Sequence, residues 1–283
     1  MAAEIQQSFR IVAALERREQ RLLHVGIAQI DIAIGNRIQN QNRIRDWMAE
    51  HCAGLATQAA VVLPEIWDVG YALEEKDRLA DDEGREAEAF LGELARRYNV
   101  WFVGGSVMAR TPWGVVNRAQ VVNPAGKLVA FYDKAHLVPM MNEPQYLLGG
   151  KKRCLFELNG VSSGVIICYD LRFCEFIRRY ALDGAKVLFV SAEWPLARAE
   201  HWVTLLQARA IENMMYVVAC NRTGASKDTV FAGNSMVIGP WGEILYRGSE
   251  DKEEGAFVAF DPSAVEGIRS TLKVFEMRVP ELY

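Results

Sequence analysis

Several short apolar runs constrain the fold of this chain more than any other feature. The runs AAVVLPE (59–65), GVIICYD (164–170) and AKVLFVSA (185–192) are almost wholly apolar and short, which is typical of strands buried on both faces. No apolar run approaches the roughly 18–20 residues that cross a bilayer. The sequence therefore predicts a protein folded around buried sheets, with no membrane partner.

Segments with helical spacing alternate with these runs. In 38–57, Ile44, Trp47 and Met48 fall at i, i+3 and i+4. Further helices are predicted at 85–98, 173–183 and 197–213. Further strands are predicted at 23–32, 100–107, 115–123, 127–133, 154–158, 215–221 and 256–261, with a hairpin over 234–246. Several neighbouring strands are joined by turns, as at NPAG (123–126). We therefore predict an α/β (α+β) fold with some antiparallel pairing and helices outside.

One domain is expected over residues 23–283, because no repeat and no Pro/Gly/Ser-rich linker divides the chain. Residues 1–22 are predicted to form a helical N-terminal extension. Charges at Glu4, Arg10 and Glu16 interrupt that extension, so it lacks the continuous apolar core of a secretion signal. The sequence predicts a cytoplasmic protein.

Charge and cysteine content exclude several classes. Lys+Arg 32 against Asp+Glu 36 gives a net charge of −4 with no basic block, so nucleic acid is not an expected partner. The five cysteines are odd in number, irregularly spaced and without a CxxC. A disulfide framework or a zinc site is therefore not expected, and at least one cysteine is available as a reactive thiol.

Cys168 is the first candidate for chemistry. It ends the apolar run GVIICYD, and residues at strand ends are held rigidly beside loops that leave room for a ligand. The backbone N–H of Tyr169 is placed to serve a developing oxyanion. The alternative is that Cys168 is a small buried apolar residue, which is common for a lone cysteine.

Two charged residues at other strand ends strengthen the case. Glu65 follows VVLP, and a buried glutamate can act as a general base near neutrality. Lys134 follows LVAFYD, with Glu143 nine residues later as its candidate partner. A lysine near a thiolate favours its ionised form and can donate to an oxyanion. Solvent-facing side chains are the alternative for both Glu65 and Lys134.

Other catalytic patterns find less support. There is no HExxH, GxGxxG or GxxxxGK[ST], so a zinc hydrolase and the nucleotide-binding folds lack their signatures. His136 or His201 is a rival base in a Cys–His pair, although His136 is favoured as a structural hydrogen bonder. Asp170 and Arg172 are expected to stiffen the turn after the cysteine through an ion pair.

Three motifs together resemble the nitrilase (carbon–nitrogen hydrolase) superfamily. They are LPE around Glu65, YDKAHL around Lys134 and CYDLRF around Cys168, and they match that family's Glu–Lys–Cys triad in order. The family's second glutamate maps to Glu143 in MNEPQYLLGG. The resemblance continues through AEWPLARAEHW (192–202), QARAIEN (207–213), CNR (220–222) and GPWGE (239–243), and it covers residues 23–283.

The resemblance implies a four-layer α-β-β-α sandwich, a homodimer or higher homo-oligomer, and no metal or organic cofactor. CYDLRF, AEWPLAR and HLVPMMNEP look most like the ω-amidase group, which hydrolyses the terminal amide of 2-oxoglutaramate or related 2-oxo acids. The alternatives are an N-carbamoyl amino-acid amidohydrolase, a general aliphatic amidase, a true nitrilase, and a catalytically silent scaffold of the same fold.

A carboxylate on the substrate would need a cation in the pocket. Arg172 and Arg198 are the candidates for that cation. Tyr71 and Trp194 are candidate walls, since each is an apolar ring with a polar handle. All four are predicted substrate-binding residues.

Overall fold

The computed structural model describes residues 22–55 and 57–282, and two stacked sheets form its centre. The strands are β1 (Leu23–Gln29), β2 (Ala59–Leu63), β3 (Asp81–Asp82), β4 (Trp101–Thr111), β5 (Gly114–Val122), β6 (Leu128–Asp133), β7 (Leu155–Leu158), β8 (Val161–Ile167), β9 (Val187–Ala192), β10 (Tyr216–Asn221), β11 (Ala225–Ser226), β12 (Thr229–Val230), β13 (Met236–Ile238), β14 (Ile244–Arg247) and β15 (Glu254–Phe260). The helices are α1 (Arg37–Cys52), α2 (Lys76–Leu79), α3 (Arg85–Tyr98), α4 (Glu143–Tyr146), α5 (Cys174–Leu182), α6 (Ala199–Asn213) and α7 (Ala264–Leu272). Short 3₁₀ turns connect several of these elements.

The first sheet has the order β15-β1-β2-β4-β5-β6, with β3 paired to β4. The second has the order β14-β13-β10-β9-β8-β7. In both sheets the central strands are parallel and the outer pairs are antiparallel. The mixed pairing predicted from the turns is confirmed.

Side chains on β1 and β2 alternate between two cores, as the period of a strand requires. Val25 and Val62 face the second sheet and join the central core. Ala28 and Val61 face outward and pack with apolar residues of α1 and α3. On the other side, Ile177, Tyr180, Trp202, Leu206 and Ala210 of α5 and α6 cover the second sheet. The layers are therefore α-β-β-α in one domain, as expected.

Most predicted elements are present, with ends that differ by a few residues. Two differences matter. The strand predicted at 164–170 runs from Val161 to Ile167, because Cys168 adopts a left-handed backbone (φ 45°) that ends the ladder. The helix predicted at 38–57 ends at Cys52, just before Gly54 (φ 79°). The sequence interpretation missed α7, although Val265, Ile268 and Leu272 have helical spacing.

One prediction concerns residues that lie outside those that the structure describes. The N-terminal extension at 1–22 lies almost wholly outside the described residues, so it stays a prediction. Across residues 22–55 and 57–282, no helix combines the length and apolar character needed to cross a bilayer. All five cysteines are free thiols in the structure.

Candidate active site

Three strand ends meet at one edge of the sandwich and carry the candidate catalytic residues. Glu65 follows β2, Lys134 directly follows β6, and Cys168 directly follows β8. Glu65 and Lys134 come from the first sheet and Cys168 from the second. The hydrogen bonds of the sheet hold each strand up to its last residue, so a side chain directly after a strand end has a well-defined position. The sequence prediction that these residues lie at strand ends is confirmed.

A buried acid–lysine network, formed by Glu65, Tyr71, Lys134 and Glu143, occupies this edge. Lys134 Nζ donates to Glu65 Oε1 and to Glu143 Oε1, both at 2.7 Å. The three charged side chains have no solvent exposure. The predicted partnership of Lys134 with Glu143 is therefore seen as a direct ion pair. Buried charges persist only when paired in this way.

Tyr71 completes the network. Its hydroxyl lies 2.9 Å from Glu65 Oε1 and 2.5 Å from Glu143 Oε1, and its single proton serves one acceptor at a time. Lys134 Nζ is 3.5 Å from the same oxygen. Tyr71 is therefore part of the network, and it lines a neighbouring cavity and not the one beside Cys168. Tyr71 was predicted to form a wall of the substrate pocket, and its contacts with Glu65 and Glu143 indicate a different role.

The charges in the network set its protonation. Burial alone would lower the pKa of Lys134, but the carboxylates of Glu143 and Glu65 raise it well above its usual value. Lys134 is therefore an ammonium at neutral pH. Burial raises the pKa of Glu143, and Glu65 adds to that rise while Lys134 opposes it. Burial, Glu143 and Glu65 likewise raise the pKa of Tyr71, so its hydroxyl stays protonated.

A bulge in β4 fixes the turn that carries Glu65. The pairing of β4 with β5 shifts between Val103 and Ser106, and Gly105 there takes φ 65°, which glycine adopts without a Cβ clash. Ser106 then holds the turn, since its Oγ accepts from Ile66 N at 2.9 Å and its N–H donates to Pro64 O at 3.2 Å.

Cys168 begins a 3₁₀ turn (Cys168–Arg172) immediately after β8 and is 4% exposed. Its φ of 45° is uncommon for a residue with a side chain, and such conformations cost about 1–3 kcal/mol and cluster at functional sites. Tyr169 follows it in the same turn, where the first N–H groups have no acceptor within the turn itself.

Burial raises the pKa of the Cys168 thiol well above its ordinary value. The Glu65 carboxylate adds to the rise through its charge and a hydrogen bond, and Lys134 opposes it. Cys168 thus lies within the electrostatic reach of the acid–lysine network. The raised pKa keeps Cys168 a thiol at neutral pH, and a thiol beside the Glu65 carboxylate suits removal of its proton by that carboxylate.

A cavity of about 280 Å³ opens in front of Cys168. It is lined by Val138, Met140, Met141, Cys168, Tyr169, Arg172, Trp194, Pro195 and Arg198. Three of the four predicted substrate-binding residues (Arg172, Trp194 and Arg198) are therefore on its wall, and we call these three the arginine wall. The cavity suits a small ligand with a mostly apolar body and few polar anchors.

The arginine wall keeps its positive charges available. Arg172 lies over the Trp194 ring at 4.8 Å and the Tyr169 ring at 5.8 Å, with Nη2 3.4 Å from His201 Nδ1. Both arginines are half-buried. No carboxylate among residues 22–55 and 57–282 lies within ion-pair distance of Arg172 or Arg198.

The expected ion pair between Asp170 and Arg172 is wrong. Asp170 is buried and accepts hydrogen bonds from Tyr132, Ile167 and His136 instead, while Arg172 turns toward the aromatic rings. The expectation failed because Asp170 points back toward the strand ends, a direction that local sequence does not determine. His136 donates from Nδ1 to Asp170, in keeping with its prediction as a structural hydrogen bonder.

Two residues that contact Glu65 were missed. Asn117 Nδ2 donates to Glu65 Oε1 at 2.8 Å, and the main-chain N–H of Glu193 donates to Oε2 at 3.0 Å. Glu193 pairs with Arg222 Nη1 at 2.9 Å. Burial raises the pKa of Glu193 to about 8, against the lowering effect of Arg222. The available signals were a polar residue inside the apolar run of β5 and a carboxylate directly after the buried β9.

The arrangement supplies a thiol, an adjacent carboxylate, an ammonium and a ligand cavity. That set is sufficient for nucleophilic attack on a carbonyl carbon with stabilisation of the resulting oxyanion. In the described part of the chain, no cluster of three or more His, Cys, Asp or Glu residues has the arrangement of a metal site.

Comparison with known proteins agrees with this chemistry. The signature of the carbon-nitrogen hydrolase family matches residues 24–270. The 2-oxoglutaramate amidase of Bacillus subtilis (strain 168) is 40% identical over 260 residues, which cover 92% of this chain and 98% of that protein. The omega-amidase YafV of Yersinia enterocolitica is 37% identical over 224 residues, covering 79% and 82%.

Solved structures give the same result for the fold. A CN-hydrolase superfamily protein from Xanthomonas campestris superposes with a TM-score of 0.82 at 30% identity, covering 91% of this chain and 98% of that one. The four-layer fold and the family resemblance inferred from the three motifs are both confirmed. The chain therefore belongs to the carbon-nitrogen hydrolase family and is a hydrolase of non-peptide carbon–nitrogen bonds.

Proposed function

We propose that this enzyme is an ω-amidase, which hydrolyses the terminal amide of a small carboxylate-bearing substrate of the 2-oxoglutaramate type to the acid and ammonia. One observation carries the proposal. The cavity beside Cys168 has two half-buried arginines on its wall, and neither pairs with a carboxylate of the described chain. The names of the Bacillus subtilis and Yersinia enterocolitica relatives support the same substrate class.

In the first half-reaction, Glu65 removes the proton from Cys168 and the thiolate attacks the amide carbon. Lys134, already an ammonium, and the backbone N–H of Tyr169 donate to the oxyanion. Each such donor typically contributes about 3 kcal/mol in the transition state. The protonated Glu65 then gives its proton to the leaving nitrogen. The C–N bond breaks, ammonia leaves and a thioester remains.

In the second half-reaction, Glu65 removes a proton from water and the resulting hydroxide attacks the thioester carbon. The C–S bond breaks as the tetrahedral intermediate collapses. Glu65 returns its proton to the sulfur, and the carboxylic acid leaves. Glu143 supports both steps because its carboxylate accepts from Lys134 and from the Val138 N–H, which fixes the ammonium in place.

Substrate orientation follows from the distribution of charge. Arg172 and Arg198 would bind the remote carboxylate, since guanidinium groups pair with carboxylates through charge-assisted hydrogen bonds. Trp194 would pack against the apolar chain between the two ends. The substrate amide is then directed toward Cys168, and an uncharged amide of the same length lacks this anchor.

The test is ammonia release from four substrates without added metal: 2-oxoglutaramate, glutaramate, an N-carbamoyl amino acid and an aliphatic nitrile. We expect the highest kcat/KM with 2-oxoglutaramate, and no release by Cys168→Ala. Faster turnover of the carbamoyl compound or the nitrile would replace the ω-amidase assignment with an N-carbamoyl amidohydrolase or a nitrilase. Binding without turnover of any of the four would support the silent-scaffold alternative.

We also propose that the enzyme works in the cytoplasm as a homodimer. Five free thiols suit a reducing compartment such as the cytoplasm.

Near the C-terminus, large apolar side chains are exposed, which is typical of an interface between subunits (Leu272, Val274, Met277, Val279 and Leu282). Analytical ultracentrifugation tests the oligomeric state, and a monomer at micromolar concentration would contradict it.

A further inference from the structure

We propose that Asp170 is a positioning residue that fixes the turn carrying Cys168 to the strand end carrying Lys134. The inference rests on the proposed mechanism, in which sulfur and ammonium act on the same carbonyl group. The two residues come from different sheets, so their separation depends on what connects those sheets at this edge. Asp170 is fully buried there and touches both segments.

Two residues that flank Lys134 donate to Asp170. The Tyr132 hydroxyl donates to Oδ2 at 2.7 Å. His136 donates to Oδ1 twice, from its main-chain N at 3.0 Å and from Nδ1 at 2.7 Å. The Ala135 N–H donates in turn to the Tyr132 hydroxyl at 3.0 Å. Lys134 therefore lies between two residues that the same carboxylate holds.

The segment of Cys168 is held in a similar way. Ile167, the residue before the cysteine, donates its N–H to Asp170 Oδ2 at 3.0 Å. Asp170 itself lies two residues after the cysteine, and its main-chain oxygen accepts from Phe173 N at 3.0 Å. The side chain of Asp170 thus closes a loop around Cys168, whose φ of 45° needs support from its surroundings.

Only a carboxylate meets this set of partners. Both oxygens of Asp170 face donors alone, and an asparagine would turn its NH₂ group toward two of them. The His136 ring also stacks on Phe173 with centroids 3.6 Å apart, which is a second contact between the same two segments. Asp170 does not line the cavity, so it acts through Cys168 and Lys134 and not on the substrate.

The experiment compares Asp170→Asn with Asp133→Asn. Asp133 is a matched control because it precedes Lys134, pairs with Arg118 at 2.7 Å, and does not contact the cysteine turn. We expect Asp170→Asn to lower kcat on the order of 10²-fold when the rate is divided by the concentration of titratable active sites. A loss of that size is typical when a reacting group is displaced by about 1 Å. KM should change less than about twofold, and Asp133→Asn should leave both parameters near wild type.

A purely structural role predicts something different. It would reduce the melting temperature or the number of titratable sites, while kcat per site stayed within about twofold of wild type, and that result would overturn the proposal. Tyr132→Phe removes one donor and decides the question if Asp170→Asn does not fold. It should lower kcat per site about three- to tenfold, and an unchanged kcat would count against the proposal.

A second readout does not depend on the identity of the substrate. Iodoacetamide alkylation is followed by mass spectrometry on the Cys168 peptide, because Cys174 is exposed and reacts separately. We expect at least fivefold slower alkylation of Cys168 in Asp170→Asn than in Asp133→Asn. An unchanged or faster rate would contradict the positioning role, even if 2-oxoglutaramate proved not to be a substrate.

Discussion

The acid–lysine network and the arginine wall both lie near Cys168 and are built in opposite ways. Glu65, Lys134 and Glu143 are fully buried and find their partners within the protein. Arg172 and Arg198 are half-buried and pair with no carboxylate of residues 22–55 and 57–282. One region is complete before a ligand arrives, and the other needs a ligand to complete it.

This difference assigns chemistry and selectivity to separate sets of side chains. Groups that are fixed in advance lose no free energy to reorganisation during the reaction. Groups with unmet charge discriminate between ligands that have a matching charge and ligands that lack it. Variants in the acid–lysine network should therefore lower kcat, while variants in the arginine wall should raise KM.

The largest effect is expected for Cys168→Ala. Removal of a nucleophile eliminates the covalent route, and losses on the order of 10⁶-fold in kcat are typical. The exposed Cys174 provides the matched control, Cys174→Ala. Ammonia release and trapping of the thioester measure the result. Activity of Cys168→Ala comparable to that of Cys174→Ala would mean that the thiol is not the nucleophile.

Glu65→Gln should come next, with a loss of roughly 10²–10⁴-fold in kcat, since one general acid–base group is removed. The glutamine keeps the shape of the side chain and can still accept from Lys134. Glu157→Gln, at an exposed position on β7, is the control. Steady-state kinetics and a circular dichroism spectrum separate lost chemistry from lost fold. A change in KM alone would move Glu65 from the chemistry to binding.

Arg172→Met tests the other side of the comparison. Loss of a charge-assisted contact worth about 1.5–3 kcal/mol should raise KM for a carboxylate-bearing amide roughly 10–100-fold. KM for an uncharged amide should stay the same. The control is Arg179→Met on α5, where Arg179 lies 3.5 Å from Asp183. Equal effects on both amides would show that Arg172 does not recognise the carboxylate.

Tyr71→Phe distinguishes the two regions for a residue that the sequence assigned to the pocket wall. Its hydroxyl contacts Glu65 and Glu143, so we expect kcat to fall about five- to tenfold, as for one hydrogen bond of about 1 kcal/mol. KM should stay unchanged. Tyr98→Phe at the end of α3 is the control. A raised KM with normal kcat would return Tyr71 to the substrate pocket.

The smallest signal concerns the resting thiol. Burial and the Glu65 carboxylate raise the pKa of Cys168. The thiol therefore stays protonated at pH values above the ordinary thiol pKa of about 8.5. The ultraviolet thiolate absorbance of wild type minus Cys168→Ala should therefore be absent at neutral pH and grow only in alkaline solution. A thiolate band at pH 7 would show that Lys134 dominates the field at the sulfur.

Much of the acid–lysine network was predictable from local sequence. Glu65, Lys134 and Cys168 each follow an apolar run, and a charged or nucleophilic residue at a strand end is visible without a structure. The α/β class with mixed pairing followed from the same runs and from their turns, and the four-layer arrangement followed from the family resemblance of the three motifs. These signals are local, because strand burial and turn chemistry depend on neighbouring residues.

The remaining contacts depend on topology. Asn117 lies on β5, which is two strands away from β2 in the sheet. Its contact with Glu65 therefore depends on the strand order and on the bulge in β4. Asp170 contacts Tyr132, 38 positions away, across the two sheets. Tyr71 was expected on a wall and lies in the network, because the turn after Glu65 folds back. No periodicity in the chain encodes such distances.

The raised pKa of the Cys168 thiol should also slow its reaction with oxidants. Peroxide attacks thiolates, and thiols react with it far more slowly. A sulfur that ionises only while its neighbouring carboxylate takes the proton presents little anion between turnovers. Burial and the Glu175 carboxylate raise the pKa of the Cys174 thiol as well, so the two sulfurs differ in their access to solvent: Cys174 is exposed at the start of α5 and Cys168 is buried.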